Sequence, residues 1–217
     1  MAIGLGLMLG FHFPENFNRP YLASSIQDFW RRWHLSLSSW LRDYLYIALG
    51  GNRNGAWKTY RNLFLTMAIA GLWHGGDSWN YLLWGSAHGI ALCVDRLWSR
   101  SSLPSVPPLL SHTLTLLFVF LAWTLFRAPD FHSAMTMYAG QFGLHGFALG
   151  DALAVTLRPV HGIAALLGVL YIIAPVLQSR YEQRLVGHAL FAPMLGFLLA
   201  FALVASRESV PFLYFQF

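Results

Sequence analysis

The sequence predicts an all-α, polytopic integral membrane protein with about four to six transmembrane helices plus an amphipathic or re-entrant helix. Three observations carry this prediction. Hydrophobic residues make up 56% of the 217 and charged residues 11%, where a soluble domain carries about 25% charged. Mean hydropathy is +0.49. Apolar stretches recur at 63–73, 79–98, 109–126, 159–177 and 189–205, separated by polar or proline-rich breaks.

Residues 1–13 are apolar but shorter than the roughly 20 residues a span needs, and Pro14 is expected to close them. They lack the basic n-region and small-residue cleavage site of a signal peptide, and look like the end of a hydrophobic helix entered in mid-course. Residues 14–62 are basic, aromatic and punctuated by glycine. Ser25-Ile26-Gln27-Asp28 has the form of a capping box with Asp28 in place of the usual Glu, so a helix is expected from about Ile26 to Ile47. Trp30, Trp33, Leu37, Trp40 and Tyr44 recur at helical spacing and predict one aromatic face. Arg31, Arg32, Ser38, Ser39 and Arg42 fill the rest of that surface, which suits an interfacial or re-entrant helix. Asp28 lies four residues before Arg32, a spacing that favours an ion pair. The turn cluster Gly50-Gly51-Asn52-Arg53-Asn54-Gly55 ends the segment.

The region 63–98 carries His74 and the embedded His88. After a linker at 104–108, further spans occupy 109–205. Within them 131–149 is mildly amphipathic, with Met135, Tyr138, Phe142 and Leu144, and is expected at the interface. No internal symmetry of the kind a small transporter would show is visible.

The formal net charge is +5. Arg19, Arg31, Arg32, Arg42, Arg53, Lys58 and Arg61 concentrate half of the 14 lysines and arginines in 14–62. The positive-inside bias puts that segment on the cytoplasmic side, and membrane lipid rather than nucleic acid explains the basic balance. The single cysteine, Cys93, permits no intramolecular disulfide and is expected as a buried small hydrophobe.

Two histidines are the candidates for chemistry. His74 ends an apolar run in Trp73-His74-Gly75-Gly76, and His34 closes Phe29-Trp30-Arg31-Arg32-Trp33-His34. An ionisable side chain at membrane depth marks a functional site by default. A neutral imidazole can take a proton from a hydroxyl as that hydroxyl attacks an acyl carbon. Gly75 and Gly76 leave bare backbone that a substrate can approach, and Trp73 and Trp79 can wall the site from water. Spacing alone leaves a second reading open: His74 as a histidine bonded between helices, and His34 as a ring at the headgroup level. Arg31, Arg32 and Arg42 suit the phosphates of an anionic donor or lipid headgroups equally. No metal-ligand spacing, P-loop or nucleophile elbow is present, so no metal and no bound cofactor are expected.

Longer motifs go further. Pro14-Glu15-Asn16-Phe17-Asn18-Arg19-Pro20-Tyr21, the run 29–38, Trp40-Leu41-Arg42-Asp43-Tyr44-Leu45-Tyr46-Ile47 and Gly50-Gly51-Asn52-Arg53 resemble membrane-bound O-acyltransferases. Gly71-Leu72-Trp73-His74-Gly75 resembles that family's signature histidine motif. The closing Pro211-Phe212-Leu213-Tyr214-Phe215-Gln216-Phe217 resembles the bacterial alginate O-acetylation branch. Ala48 departs from that branch's usual proline, and His12 from a frequent arginine.

The resemblance implies a catalytic His74 and a supporting His34. Trp30, Arg32, Trp33, Trp73, Gly75 and Arg42 would contact the donor or substrate. The donor would be acetyl-CoA or another acyl thioester reaching the site from the cytoplasm. The acyl group would pass through periplasmic polysaccharide-acetylation proteins to an exopolysaccharide such as alginate, across the bacterial inner membrane. A related branch transfers D-alanine to teichoic acid. Family members are longer, so residues 1–217 are expected to be a C-terminal portion of the domain. A non-catalytic scaffold of an acetylation complex is the rival reading of such a portion.

Overall fold

The structure, a computed structural model, describes residues 2–75, 78–144, 146, 162 and 166. The chain divides into two compact units, Met1–Leu149 and Gly150–Phe217, and the fold described is that of the first. Apart from residues 162 and 166, the expected spans at 159–177 and 189–205 fall outside the described residues, as does Gly76.

All regular structure among the described residues is helical: α1 (Ala2–Met8), a 3₁₀ turn (Pro20–Leu22), α2 (Ile26–Trp30), α3 (Leu35–Trp40), a π-helical turn (Leu41–Tyr46), α4 (Ala56–Trp73), α5 (Trp79–Arg100), α6 (Pro108–Arg127) and α7 (Phe131–Gln141). One of these, α6, is both long and apolar enough to cross a membrane. It begins with Pro108 at its first position, where the missing N–H costs nothing, and carries no charge before Arg127. Its Leu109, Leu114, Leu117 and Phe120 stand exposed, as side chains facing hydrocarbon do. The 22 residues of α5 give about 33 Å of length, but Asp95, Arg96 and Arg100 interrupt their apolarity.

The expected helix from Ile26 to Ile47 is broken into three pieces. Ser25 caps α2, accepting the Asp28 N–H at 3.2 Å, and the Asp28 carboxylate reaches back to the Ser24 N–H rather than to that of Ser25. The Asp28–Arg32 pair forms at 2.8 Å. α2 ends at Trp30, and four residues on His34 takes a left-handed backbone, φ 47° and ψ 57°, so that α3 does not continue its axis. The single aromatic face is lost with it. Trp30 and Trp33 turn inward onto the core of Ala23, Ile26, Phe29 and Val119, while Trp40 and Tyr44 stack on each other on the outside. At the other end α1 stops at the positive-φ Gly10, ahead of Pro14.

The pair α4 and α5 forms the frame of the unit. A Cβ on Gly89 would press on Phe64 at 3.0 Å, so glycine permits a close helix crossing there. Cys93 is half-buried at this crossing, where its thiol donates to the Tyr60 carbonyl at 3.4 Å. Buried Asn80 donates to the Ala128 carbonyl at 3.0 Å, tying the start of α5 to the end of α6. Fully buried Asn62 donates to the carbonyls of Leu49 and Gly51, both at 3.0 Å. It thereby anchors the glycine turn, where Gly50 and Gly51 have positive φ.

Candidate active site

His74 is the C-cap of α4, and its N–H donates to the carbonyls of Gly71 and Leu72. Its half-buried ring sits among three aromatic side chains in edge-to-face contact. The centroid distances are 5.0 Å to Trp73, 5.4 Å to Trp84 and 5.1 Å to Phe126. Trp84 and Phe126 also pack on each other at 5.1 Å. The imidazole is thus walled by α5 and α6 as well as by its own helix. Trp79, expected as part of that wall, stays 76% exposed and is not among the rings on His74. Gly75 follows in a tight turn, its N–H on the Leu72 carbonyl at 3.2 Å.

His34 is held from outside its own helix. Loop residue Asn16 accepts the Leu35 N–H through its carbonyl at 2.9 Å. Its side-chain oxygen accepts from both the N–H and the hydroxyl of Ser36. Asn18 donates to the Arg32 carbonyl at 2.8 Å, and Phe17 packs on Trp33 and His34. The left-handed backbone of His34 is therefore imposed by the 14–20 loop; such strain in a non-glycine residue clusters at functional sites. The Nδ1 of His34 accepts from the Leu37 N–H at 3.4 Å. Burial holds the His34 imidazole below its ordinary proton affinity, partly offset by a bond to its own backbone. A charge on His34 opposes a charge on His74, so the two histidines lie within electrostatic range of each other.

A third histidine joins this cluster. His88, fully buried on α5, accepts the Trp30 indole N–H at Nδ1 over 3.2 Å. That bond puts the proton of the neutral ring on Nε2, which is buried without a partner. Trp84 bridges the two sites, 5.0 Å from His88 and 5.4 Å from His74. The sequence signal was the doublet Trp84-Gly85 and His88-Gly89, which sets two aromatic rings and two glycines one helical turn apart.

The remaining expected contacts divide. Trp30 lines a cavity of about 480 Å³ with Arg31 and Arg42. Arg32 does not reach it: its guanidinium is spent on Asp28. Trp33 packs against the core, stacked on Phe29 at 5.5 Å and in contact with Trp123, and is not among the residues lining that cavity. Arg42 is held by Asp43 through two bonds, 2.7 and 3.0 Å long. Sequence reasoning missed Trp84, Phe126 and the cavity-lining Arg96.

Comparison with known proteins agrees with the motifs. Residues 1–139 match the sequence model of the membrane-bound O-acyltransferase family. A protein of Azotobacter vinelandii named "Probable alginate O-acetylase AlgI" is 45% identical over 187 residues, covering 86% of this chain and 37% of that protein. Its Pseudomonas aeruginosa namesake is 51% identical over 151 residues, covering 70% of this chain and 29% of that protein. A "Peptidoglycan O-acetyltransferase" of Helicobacter pylori is 47% identical, covering 69% and 29%. The chain thus spans about a third of the length of these relatives. With a match over more than half its length, this membrane protein belongs to the membrane-bound O-acyltransferase family.

Proposed function

We propose that the chain carries the base of an O-acyltransferase that moves an acetyl group from a cytoplasmic thioester, acetyl-CoA or another, toward hydroxyls of an extracellular polysaccharide such as alginate. Periplasmic partner proteins complete the transfer, and the chain is a multi-pass protein of the bacterial inner membrane. The single observation that carries this reading is His74 at the end of α4, caged by Trp73, Trp84 and Phe126 with His34 in electrostatic range.

In this mechanism the His74 imidazole takes the proton of the attacking hydroxyl. The hydroxyl oxygen adds to the thioester carbonyl, the C–S bond breaks, and the leaving thiolate takes up the proton. His34 orients the donor or the acceptor. Trp30 and Trp73 shape the donor passage, and Gly75 admits close approach.

A second reading, D-alanyl transfer, is favoured by a "Teichoic acid D-alanyltransferase" of Bacillus subtilis that is 31% identical over 150 residues. The higher identity to O-acetylating relatives supports acetyl. The test expresses this gene in a strain lacking its own homologue and identifies by mass spectrometry the acid that mild base releases from the polysaccharide. Acetate is expected. D-alanine would replace the acyl assignment, and no released acid would leave only the scaffold reading.

A further inference from the structure

We propose that the groove between α5 and α6 binds one phospholipid whose headgroup carries an ammonium, of the phosphatidylethanolamine class, with Asp95 as the ligand of that ammonium. This site goes beyond acyl transfer and stands apart from the role of His74. The groove measures about 780 Å³ and shares no lining residue with the cavity beside Trp30. Its walls come from α5, α6 and the linker between them, with Ser25 and Ile26 completing it. Its chemistry changes along its length. Toward the linker stand Asp95, Ser105 and Ser111; away from it stand Ala87, Ala91 and Phe118. A polar mouth over an apolar shaft is the profile of an amphiphile. In the walls Ile90, Val94 and Leu114 are each more than half exposed, so the shaft is open to hydrocarbon.

Depth and charge select the occupant. Phe118, at the far end of the shaft, lies about 15 Å along α6 from Pro108. That is half of the roughly 30 Å hydrocarbon thickness, so the shaft is one leaflet deep. A lipid tail fits this depth, whereas a partner's transmembrane helix, which crosses both leaflets, overruns it. Among the described lining residues Asp95 alone carries a charge. Its Oδ2 accepts the Gln27 N–H at 2.9 Å, and among the described residues it forms no ion pair. A carboxylate at the mouth of an apolar shaft calls for a cation. The ethanolamine ammonium supplies one, while the anionic headgroup of phosphatidylglycerol is repelled. The Ser111 hydroxyl donates to the Ser24 carbonyl, which sets the mouth beside the basic 14–62 segment. The positive-inside bias therefore puts the lipid in the cytoplasmic leaflet.

The test places the protein in phosphatidylcholine nanodiscs doped with a lipid that carries a diazirine in its acyl chain, either phosphatidylethanolamine or phosphatidylglycerol. After illumination, mass spectrometry maps the labelled residues. Label at 87–94 is normalised to label at Phe120, which is exposed on α6 outside the groove. Phosphatidylethanolamine is expected to exceed phosphatidylglycerol in the groove about three- to fivefold, the worth of a partly exposed ion pair. Asp95→Asn removes the charge but keeps an oxygen that accepts the Gln27 N–H, and should bring that ratio to about one. Asp95→Glu should retain a preference for phosphatidylethanolamine. Equal labelling by the two lipids in wild type, or an undiminished preference in Asp95→Asn, overturns the proposal. So does label at Phe120 with none in the groove from either lipid, which makes the occupant another protein segment.

Discussion

Gly71 and Gly85 meet backbone to backbone. A Cβ on Gly85 would fall 2.9 Å from the Gly71 Cα and overlap the Met67 carbonyl oxygen, and a Cβ on Gly71 would overlap that of Tyr81. This contact brings His74, three residues past Gly71, against Trp84, the residue before Gly85. Gly71→Ala and Gly85→Ala are each expected to destabilise by about 1–3 kcal/mol through overpacking, read as a fall in Tm in detergent. Gly140→Ala, whose Cβ meets nothing within 4 Å, should hold or raise Tm by the stabilisation of about 0.4–1 kcal/mol that losing a flexible glycine gives.

The backbone of His34 predicts an unusual order of substitutions. Glycine adopts its left-handed conformation freely, whereas alanine retains a strain of about 1–2 kcal/mol. His34→Gly should therefore be more stable than His34→Ala in thermal melts, although both lack the imidazole. Equal stabilities would show that the 14–20 loop does not impose this conformation.

How much of this was legible in the sequence depended on whether the cause was local. The helix α6 was readable because its proline start and uncharged apolar run are local facts. The break at His34 was not. The residues 31–34 contain no glycine or proline, and aromatic periodicity runs straight through them; the break is enforced by Asn16 and Asn18 from another segment. His74 and His34 were singled out by motif, but their nearness is a tertiary fact. Arg96, Trp84 and Phe126 reach their places only through the crossings of α5 with α4 and α6, which no one-dimensional pattern displays. Arg32 looked like a ligand for the same reason Arg31 did, and only the observed bond to Asp28 separates them.

The Trp30–His88 hydrogen bond ties α2 to α5. Trp30→Phe removes the donor and leaves His88 Nδ1 buried without a partner, at an expected cost of about 1–3 kcal/mol. His88→Phe should cost a similar amount by stranding the indole N–H. The double variant should be less destabilised than the sum of the two, since neither group is then left unpaired. Additive losses in a thermal double-mutant cycle would deny the bond.

Asn62 holds two carbonyls of the glycine turn at once. Asn62→Ala is expected to free the 49–55 turn and destabilise by about 1–3 kcal/mol. Limited proteolysis should show new cleavage within 49–55, while α6 stays protected.

The central claim is that His74 removes the proton from the acceptor hydroxyl. It is tested most directly by His74→Ala, with polysaccharide acetyl content and membrane abundance measured in the same cells. The account predicts that acetylation falls to background while the protein stays in the membrane at wild-type level. Acetylation at the wild-type level in that variant would contradict it.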